Sequence, residues 1–406
     1  MHVAVYIGNL RPQDGGAYTF ELSVMKALAA RLAETRHRFT LFAAAPMPMT
    51  FGQQTVCLPI VRCPPHHMIM ASAATAKDRL LSLADRLCAP WKYATAPVSA
   101  RATLDRLLAR NRCDCVWFPT HSAVPVDVPY IAVLWDLEHR VQPFFPEVSS
   151  HGVWQAREAH FKHILPRAAR IVVGTQLGKS QVERFYHVPA ESIHVVPMPV
   201  PDFTPDNSGT FSHRPEYTTK FKPGYFFYPG QFWPHKNHAT LLKAFALLRD
   251  EPDSPRLVLT GSDKGNRDYV GRLVKDFALE DRVSMLGFVP QDVLRELYEH
   301  ACALVYPSLF GPDNLPPLEA FALGCPVIGP DLPGAREQLG DAALLVDPLD
   351  ATAIARAMVR VRDDAHLRTT LVAKGRFIAE GRTTDAYVRR MFEIFDAFEP
   401  VRACWS

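Results

Sequence analysis

The feature that most constrains this chain is a repeated grammar: short apolar runs of strand length, most followed by a stretch of helical periodicity, with the pattern occurring twice. HVAVYIG (2–8) precedes FELSVMKALAARLAE (20–34), and RFTLFAA, CDCVWFP, YIAVLW and RIVVGT follow in order. Runs this uniformly apolar suit strands covered on both faces, as a parallel sheet with crossover helices requires. From Met198 the grammar stops, and six prolines fall between Pro197 and Pro223, so this stretch reads as a linker. The alternation restarts with YFFYPG, RLVLTG, VSMLGF, ALVYPS, PVIGP and ALLVD. Two Rossmann-like halves in series are the economical reading, and 406 residues leave room for two cores. One more amphipathic helix, from Thr384 to Phe398, comes after the second set of strands is complete.

Composition narrows the function classes. With 45 basic against 42 acidic side chains the chain lacks the charge of a nucleic-acid coat, and no nucleic-acid partner is expected. Its 35 prolines exceed the usual share of roughly 5% and predict stiffened loops. The eight cysteines show no repeated CxxC spacing, so buried free thiols are expected rather than a disulfide framework or a zinc ribbon. MHVAVYIGNL has neither a basic n-region nor a cleavage site and reads as a first strand. No run approaches 18 uncharged apolar residues, which makes a reducing cytoplasm the expected compartment. One segment stands apart: Lys77 to Arg112 holds eight basic residues (Lys77, Arg79, Arg86, Lys92, Arg101, Arg106, Arg110, Arg112) and three acidic ones (Asp78, Asp85, Asp105). Its leucines and arginines interleave at helical spacing, as in an interfacial helix on an anionic membrane or in a solvated helix packed on a sheet.

Two stretches carry candidate chemistry. In YPSLFGPDNLPPLEAFALGCPVIGPDLPG (306–334) a strand runs into a turn rich in Gly, Pro, Asp and Asn, and then into a helix with proline in its first turn. A helix amino terminus at the carboxyl edge of a parallel strand favours a diphosphate, and Glu319 one turn in can accept two ribose hydroxyls or simply complement the helix dipole. In YPGQFWPHKNHATLLKAFALL, from Tyr228, a strand ends at Gly230 and a proline-interrupted loop carries His235, Lys236, Asn237 and His238. Lys236 can neutralise phosphate as a point charge. The two histidines have no third ligand nearby, so no metal is expected.

These two stretches, with LVLTG and VSMLGFVPQDVLRELYEHACALVYPS between them, resemble the retaining glycosyltransferases of family four. Thinner support comes from NLRPQDGGAYTFE, VLWDLEHRVQPFFPE and RIVVGTQLGKSQVERFYHV in the first half. The resemblance implies an α/β GT-B fold, two Rossmann-like doubly wound domains facing a central cleft. An acceptor-binding domain would occupy 1–200 and a donor-binding domain 201–383, with the helix at 384–400 crossing back to the first. Lys236 corresponds to the family's phosphate-binding lysine and Glu319 to its ribose-binding glutamate, while Gly15 and Gly16 would let backbone approach the diphosphate. The sequence departs from the pattern at three places. The first glutamate of the paired motif falls on Gly311, followed by Pro312, Asp313 and Asn314, which leaves donor-sugar contacts to Asp313 or to the amides of Asn314 and Leu315. The arginine usual before the lysine loop is Gln231. The His-Asp pair of the acceptor side reads Trp135-Asp136, with His139 three residues on, so catalysis is expected to rest on Asp136, His139 and Lys236.

The implied reaction moves a hexose from a nucleotide-diphosphate sugar, GDP-mannose first among them, to a lipid-linked or growing glycan in bacterial surface polysaccharide synthesis. It needs neither metal nor other cofactor and would be carried out at the inner face of the membrane. A sugar-nucleotide epimerase or a non-catalytic glycan-binding protein of the same fold are the alternatives. A phosphorylase would need a pyridoxal lysine, and none stands out.

Overall fold

The computed structural model describes residues 1–7, 16–43, 50–51, 54–55, 60–62, 99–201, 221–251 and 256–405. The chain forms two compact units. The first contains Met1–Arg140, Ser149–Pro197 and Thr384–Ser406; the second contains Val141–Val148 and Met198–Thr383. The short excursion Val141–Val148 is a feature that a single boundary near residue 200 does not anticipate.

The first unit is built on strands β1 (His2–Ile7), β2 (Arg38–Ala43), β5 (Ile60–Arg62), β6 (Cys115–Phe118), β7 (Tyr130–Leu134), β8 (Arg170–Val173) and β9 (Ile193–Val195). They pair in the order β5-β2-β1-β6-β7-β8-β9, all parallel. A two-stranded hairpin, β3 (Thr50–Phe51) with β4 (Gln54–Thr55), stands outside this sheet. The strands are apolar without alternation because helices cover both faces, and every residue of β1, β6 and β7 is buried. The final helix, Thr384–Arg402, belongs to this unit and packs on the Gly16–Ala30 helix. Its Phe395 ring meets Phe39 at 5.7 Å and Trp117 at 5.8 Å between centroids.

The Ser99–Arg110 helix shows which way its leucines turn. Leu104 and Leu108 are buried in the core with Phe118, Val124 and Tyr130, and Leu107 packs partly against them. The leucine face of this helix is therefore spent on the core over residues 99–110, as in the sheet-packed alternative. Residues 77–98 lie outside the described residues. Among the described residues no helix is long and apolar enough to cross a membrane. Cys113, Cys115 and Cys325 are buried free thiols, whereas Cys404 is exposed.

The second unit holds β10 (Tyr225–Pro229), β11 (Leu257–Thr260), β12 (Val283–Met285), β13 (Ala301–Val305), β14 (Val327–Pro330) and β15 (Ala343–Val346), all parallel in the order β12-β11-β10-β13-β14-β15. This is a doubly wound order, reversing direction between β10 and β13. Loops leaving the carboxyl ends of those two strands turn to opposite faces of the sheet and leave a crevice between them, the position where such sheets take ligands.

Candidate functional site

Both chemistry-bearing stretches of the second half leave the sheet at this switch point. After β10 the chain turns at Gly230, whose amide donates to Thr260 at 2.8 Å. The neighbouring loop passes so close that a Cβ on Gly261 would sit 2.2 Å from the Gly230 carbonyl oxygen, and Gly261 has φ +137°. Only glycine fits there. The Pro234–Lys236 turn follows, and Asn237 at φ +56° ends it and caps the His238–Ala246 helix, its Oδ1 accepting from the Thr240 amide at 3.4 Å. Asn237 Nδ2 also donates to the carbonyls of Pro307 at 3.1 Å and Pro348 at 2.7 Å, which ties the turn to the loops after β13 and β15.

From that turn the Lys236 ammonium reaches across to the β13 loop and donates to Tyr306 Oη at 2.6 Å. Tyr306 Oη in turn donates to Asn314 Oδ1 at 2.8 Å, and Asn314 Nδ2 donates to the Gly311 carbonyl at 2.8 Å. The cation is thus held over the crevice by a hydrogen-bonded chain running through both loops. Tyr306 went unnoticed in the sequence, where it reads as the last apolar residue of a strand.

The 311–314 loop is fixed from below. Gln338 accepts from the Asn314 amide at 3.2 Å and donates to its carbonyl at 3.0 Å, and a Cβ on Gly334 would meet Pro312 Cα at 2.6 Å. Gly311 has φ +104°, and a Cβ there would lie 2.9 Å from Asn314 Nδ2. A glutamate at Gly311 would therefore strain this loop as it stands.

Two expectations about donors need correction. The Leu315–Ala322 helix starts Leu-Pro-Pro, and Pro316 and Pro317 have no N–H, so its first turn does not present a row of free amides. The Asn314 amide is taken by Gln338, which leaves the Leu315 amide of the two expected. Gln231 Oε1 accepts from Trp233 Nε1 at 2.9 Å. A second cation lies close by: Lys264 Nζ sits 5.7 Å from the Trp233 ring centroid.

The acidic groups are unusual. Glu319 is 8% exposed, and its Oε2 accepts from Tyr298 Oη at 2.7 Å. Burial pushes its pKa up to about 7, opposed by that hydrogen bond. Asp313 has both carboxylate oxygens buried without a hydrogen-bond partner, and burial raises it to about 7 as well, with Arg382 pulling the other way. Neither is a solvated surface carboxylate. Both histidines of the lysine loop stack on phenylalanines: His238 on Phe232 at 4.7 Å and His235 on Phe310 at 3.7 Å. Burial lowers the His238 pKa to about 3.

In the first unit the Trp135-Asp136 sequence leaves the end of β7. Asp136 Oδ1 accepts from Arg157 Nη2 at 2.5 Å and from the Glu138 amide at 3.0 Å, so it caps the next helix while one-third exposed. Burial would raise its pKa, but Arg157, the Glu138 amide and His121 outweigh that and keep it below the ordinary aspartate value. His121 lies against Trp135 at 4.8 Å between ring centroids. Arg157 and His121 are distant in sequence and had no signal there. His139 is the clearest correction. It is 0% exposed, its Nε2 lies 3.2 Å from Tyr186 Oη and 3.3 Å from Glu158 Oε2, and Trp154 Nε1 donates to its carbonyl at 2.6 Å. Burial takes its pKa down to about 4. A neutral imidazole inside a core cannot touch an acceptor. Gly16 opens the Gly16–Ala30 helix, and Gly15 lies outside the described residues.

The comparisons agree with the fold. The whole chain superposes on the sucrose-phosphate synthase of Thermosynechococcus elongatus with a TM-score of 0.71 at 18% identity, covering 99% of this chain and 100% of that one; the fold is GT-B. Residues 210–377, which include most of the second unit, match the family described as glycosyl transferases group 1. The chain is 30% identical over 213 residues to O-antigen chain mannosyltransferase B of Escherichia coli, which is 52% of this chain and 56% of that protein. It is also 30% identical over 219 residues to O-antigen chain mannosyltransferase RfbU of Salmonella typhimurium, again 52% and 56%. The match thus spans about half the length of these curated relatives.

Proposed function

We propose that the protein is a retaining hexosyltransferase that moves mannose or a related sugar from a nucleotide-diphosphate donor, GDP-mannose foremost, to a lipid-linked or growing glycan. The observation that carries this reading is the Lys236–Tyr306–Asn314 chain across the switch point, with Glu319 one helical turn away. Breaking the glycosidic bond of the donor builds charge on the leaving diphosphate. An ammonium already oriented by a hydroxyl stabilises that charge without reorganising, and such preorganised groups contribute most in the transition state. Glu319 would accept ribose hydroxyls, and a ligand hydroxyl would supply hydrogen bonds that favour its ionised form. Asp136, half-buried against Arg157, supplies the first unit's polar group for acceptor or sugar. The two O-antigen mannosyltransferases support mannose as the transferred sugar and a surface glycan as the acceptor.

The test is nucleotide release from GDP-mannose, with UDP-glucose and UDP-N-acetylglucosamine beside it, in the presence and absence of a lipid-linked glycan. The anomeric configuration of the product is then read by proton NMR. Acceptor-dependent GDP release with an α-mannosyl product supports the reading. Donor conversion without acceptor would point to an epimerase, and binding with no turnover of any donor would leave a glycan- or nucleotide-binding protein.

A further inference from the structure

The Val141–Val148 segment, VQPFFPEV, lies between two stretches of the first unit yet belongs to the second. Its side chains go to two places. Glu147 Oε1 accepts from the backbone amide of His235 at 3.0 Å and also pairs with His235 Nδ1, and the Glu147 side chain is 5% exposed. Gln142 Nε2 donates to the Leu309 carbonyl at 2.9 Å, while the Phe145 ring meets Phe310 edge-on at 5.1 Å and His235 at 6.4 Å. The two targets are themselves joined, since the Leu309 amide donates to the His235 carbonyl at 2.8 Å and His235 stacks on Phe310. His235 is the neighbour of Lys236, and Phe310 is the neighbour of Gly311. The segment therefore clamps the turn that carries the ammonium to the loop that carries its partner Asn314.

We propose that Glu147 is a positioning residue for the donor site: by holding His235 through one carboxylate oxygen, it fixes the Pro234–Lys236 turn against residues 308–311 and so sets where the Lys236 ammonium stands. Its importance for donor binding rests on the nucleotide-donor reading above. A buried carboxylate is costly unless it is hydrogen-bonded, and both bonds made here go from one residue of the lysine turn to Oε1, while Oε2 is buried without a partner. Burial would raise Glu147, but the hydrogen bonds from His235 hold it below the ordinary glutamate value. An uncharged acceptor of the same shape keeps both bonds, so Gln is predicted to substitute where Ala does not.

The experiment compares native protein, Glu147→Gln and Glu147→Ala. GDP, UDP and inorganic pyrophosphate are titrated calorimetrically, and backbone hydrogen exchange is followed without ligand. Expected are a Kd raised tenfold or more in Glu147→Ala and threefold or less in Glu147→Gln for whichever probe the native protein binds. Exchange at Leu309, Lys236 and Asn237 should quicken together in the alanine variant, with the Tyr225–Pro229 strand unchanged. If the native protein takes none of the three probes, the donor reading fails and the exchange pattern alone decides the clamp. Unchanged exchange in both loops of Glu147→Ala, or a glutamine variant as impaired as the alanine one, would overturn the proposal.

Discussion

At the scale of single residues, the site depends on charges held in place by neutral neighbours. On the proposed transferase reading, Lys236 should matter more to turnover than to binding, because a leaving diphosphate would gain charge as the sugar departs; Lys236→Ala should cost roughly 10²-fold in kcat with a smaller change in nucleotide Kd. Tyr306→Phe removes only the hydroxyl that orients the ammonium, so steady-state rates should fall about tenfold, between native and Lys236→Ala. Glu319 gives a pH prediction. Its pKa is about 7 in the folded chain against an ordinary 4.5, so between those values the folded state holds a proton that the unfolded state has lost. Its contribution to stability is then fully present below pH 4.5 and is lost as pH rises through 7. Glu319→Gln keeps an acceptor for Tyr298 and cannot ionise. Relative to native, it should gain roughly 3 kcal/mol at pH 8 and little at pH 4.5, read as thermal midpoints across that range. Equal midpoints at both ends would mean the carboxylate is solvated.

At the scale of elements, strands and crossover helices were legible in the sequence because burial on both faces leaves an uninterrupted apolar run. The partners of the site side chains were not legible. Asp136 and His139 are three residues apart and were expected to act together, but the helical turn Glu138–Val141 begins between them. That turn sends His139 inward to Glu158 and Tyr186, while Asp136 stays at the strand end beside Arg157. The two should now separate by experiment. His139→Ala opens a cavity and removes a hydrogen-bond partner of Tyr186 and Glu158, so it should lower unfolding free energy by about 2–4 kcal/mol in urea titrations. Asp136→Asn keeps an acceptor for the Glu138 amide but loses the charge paired with Arg157, so it should cost less stability than His139→Ala while lowering turnover, with nucleotide Kd unaffected. A His139→Ala protein as stable as native would return that residue to the list of candidates at the site. The loop at 311–314 was opaque for a related reason: Gly311, Gly334 and Gln338 are mutually dependent, and none of them signals alone.

At the scale of the whole molecule, the chain returns at its end to the unit it began with. Tyr387, Val388, Met391, Phe392, Ile394, Phe395 and Phe398 are buried on one side of the Thr384–Arg402 helix. They lie among Phe20, Phe39 and Trp117, and Arg31 pairs with Asp385 at the helix start. Seven large side chains at about 1.5–3 kcal/mol each amount to roughly 10–20 kcal/mol of apolar burial, as large as the net stability of a typical domain at about 5–15 kcal/mol. The second unit uses none of these residues for its sheet. Ending the chain at Thr383 should therefore unfold one unit and spare the other. Hydrogen exchange resolved by peptide is the measurement: amides of His2–Ile7 and Cys115–Phe118 should lose protection, and those of Tyr225–Pro229 and Leu257–Thr260 should keep it. Protection retained in both sheets would show that the first unit closes its core without the helix, and loss in both would show that the two units fold as one.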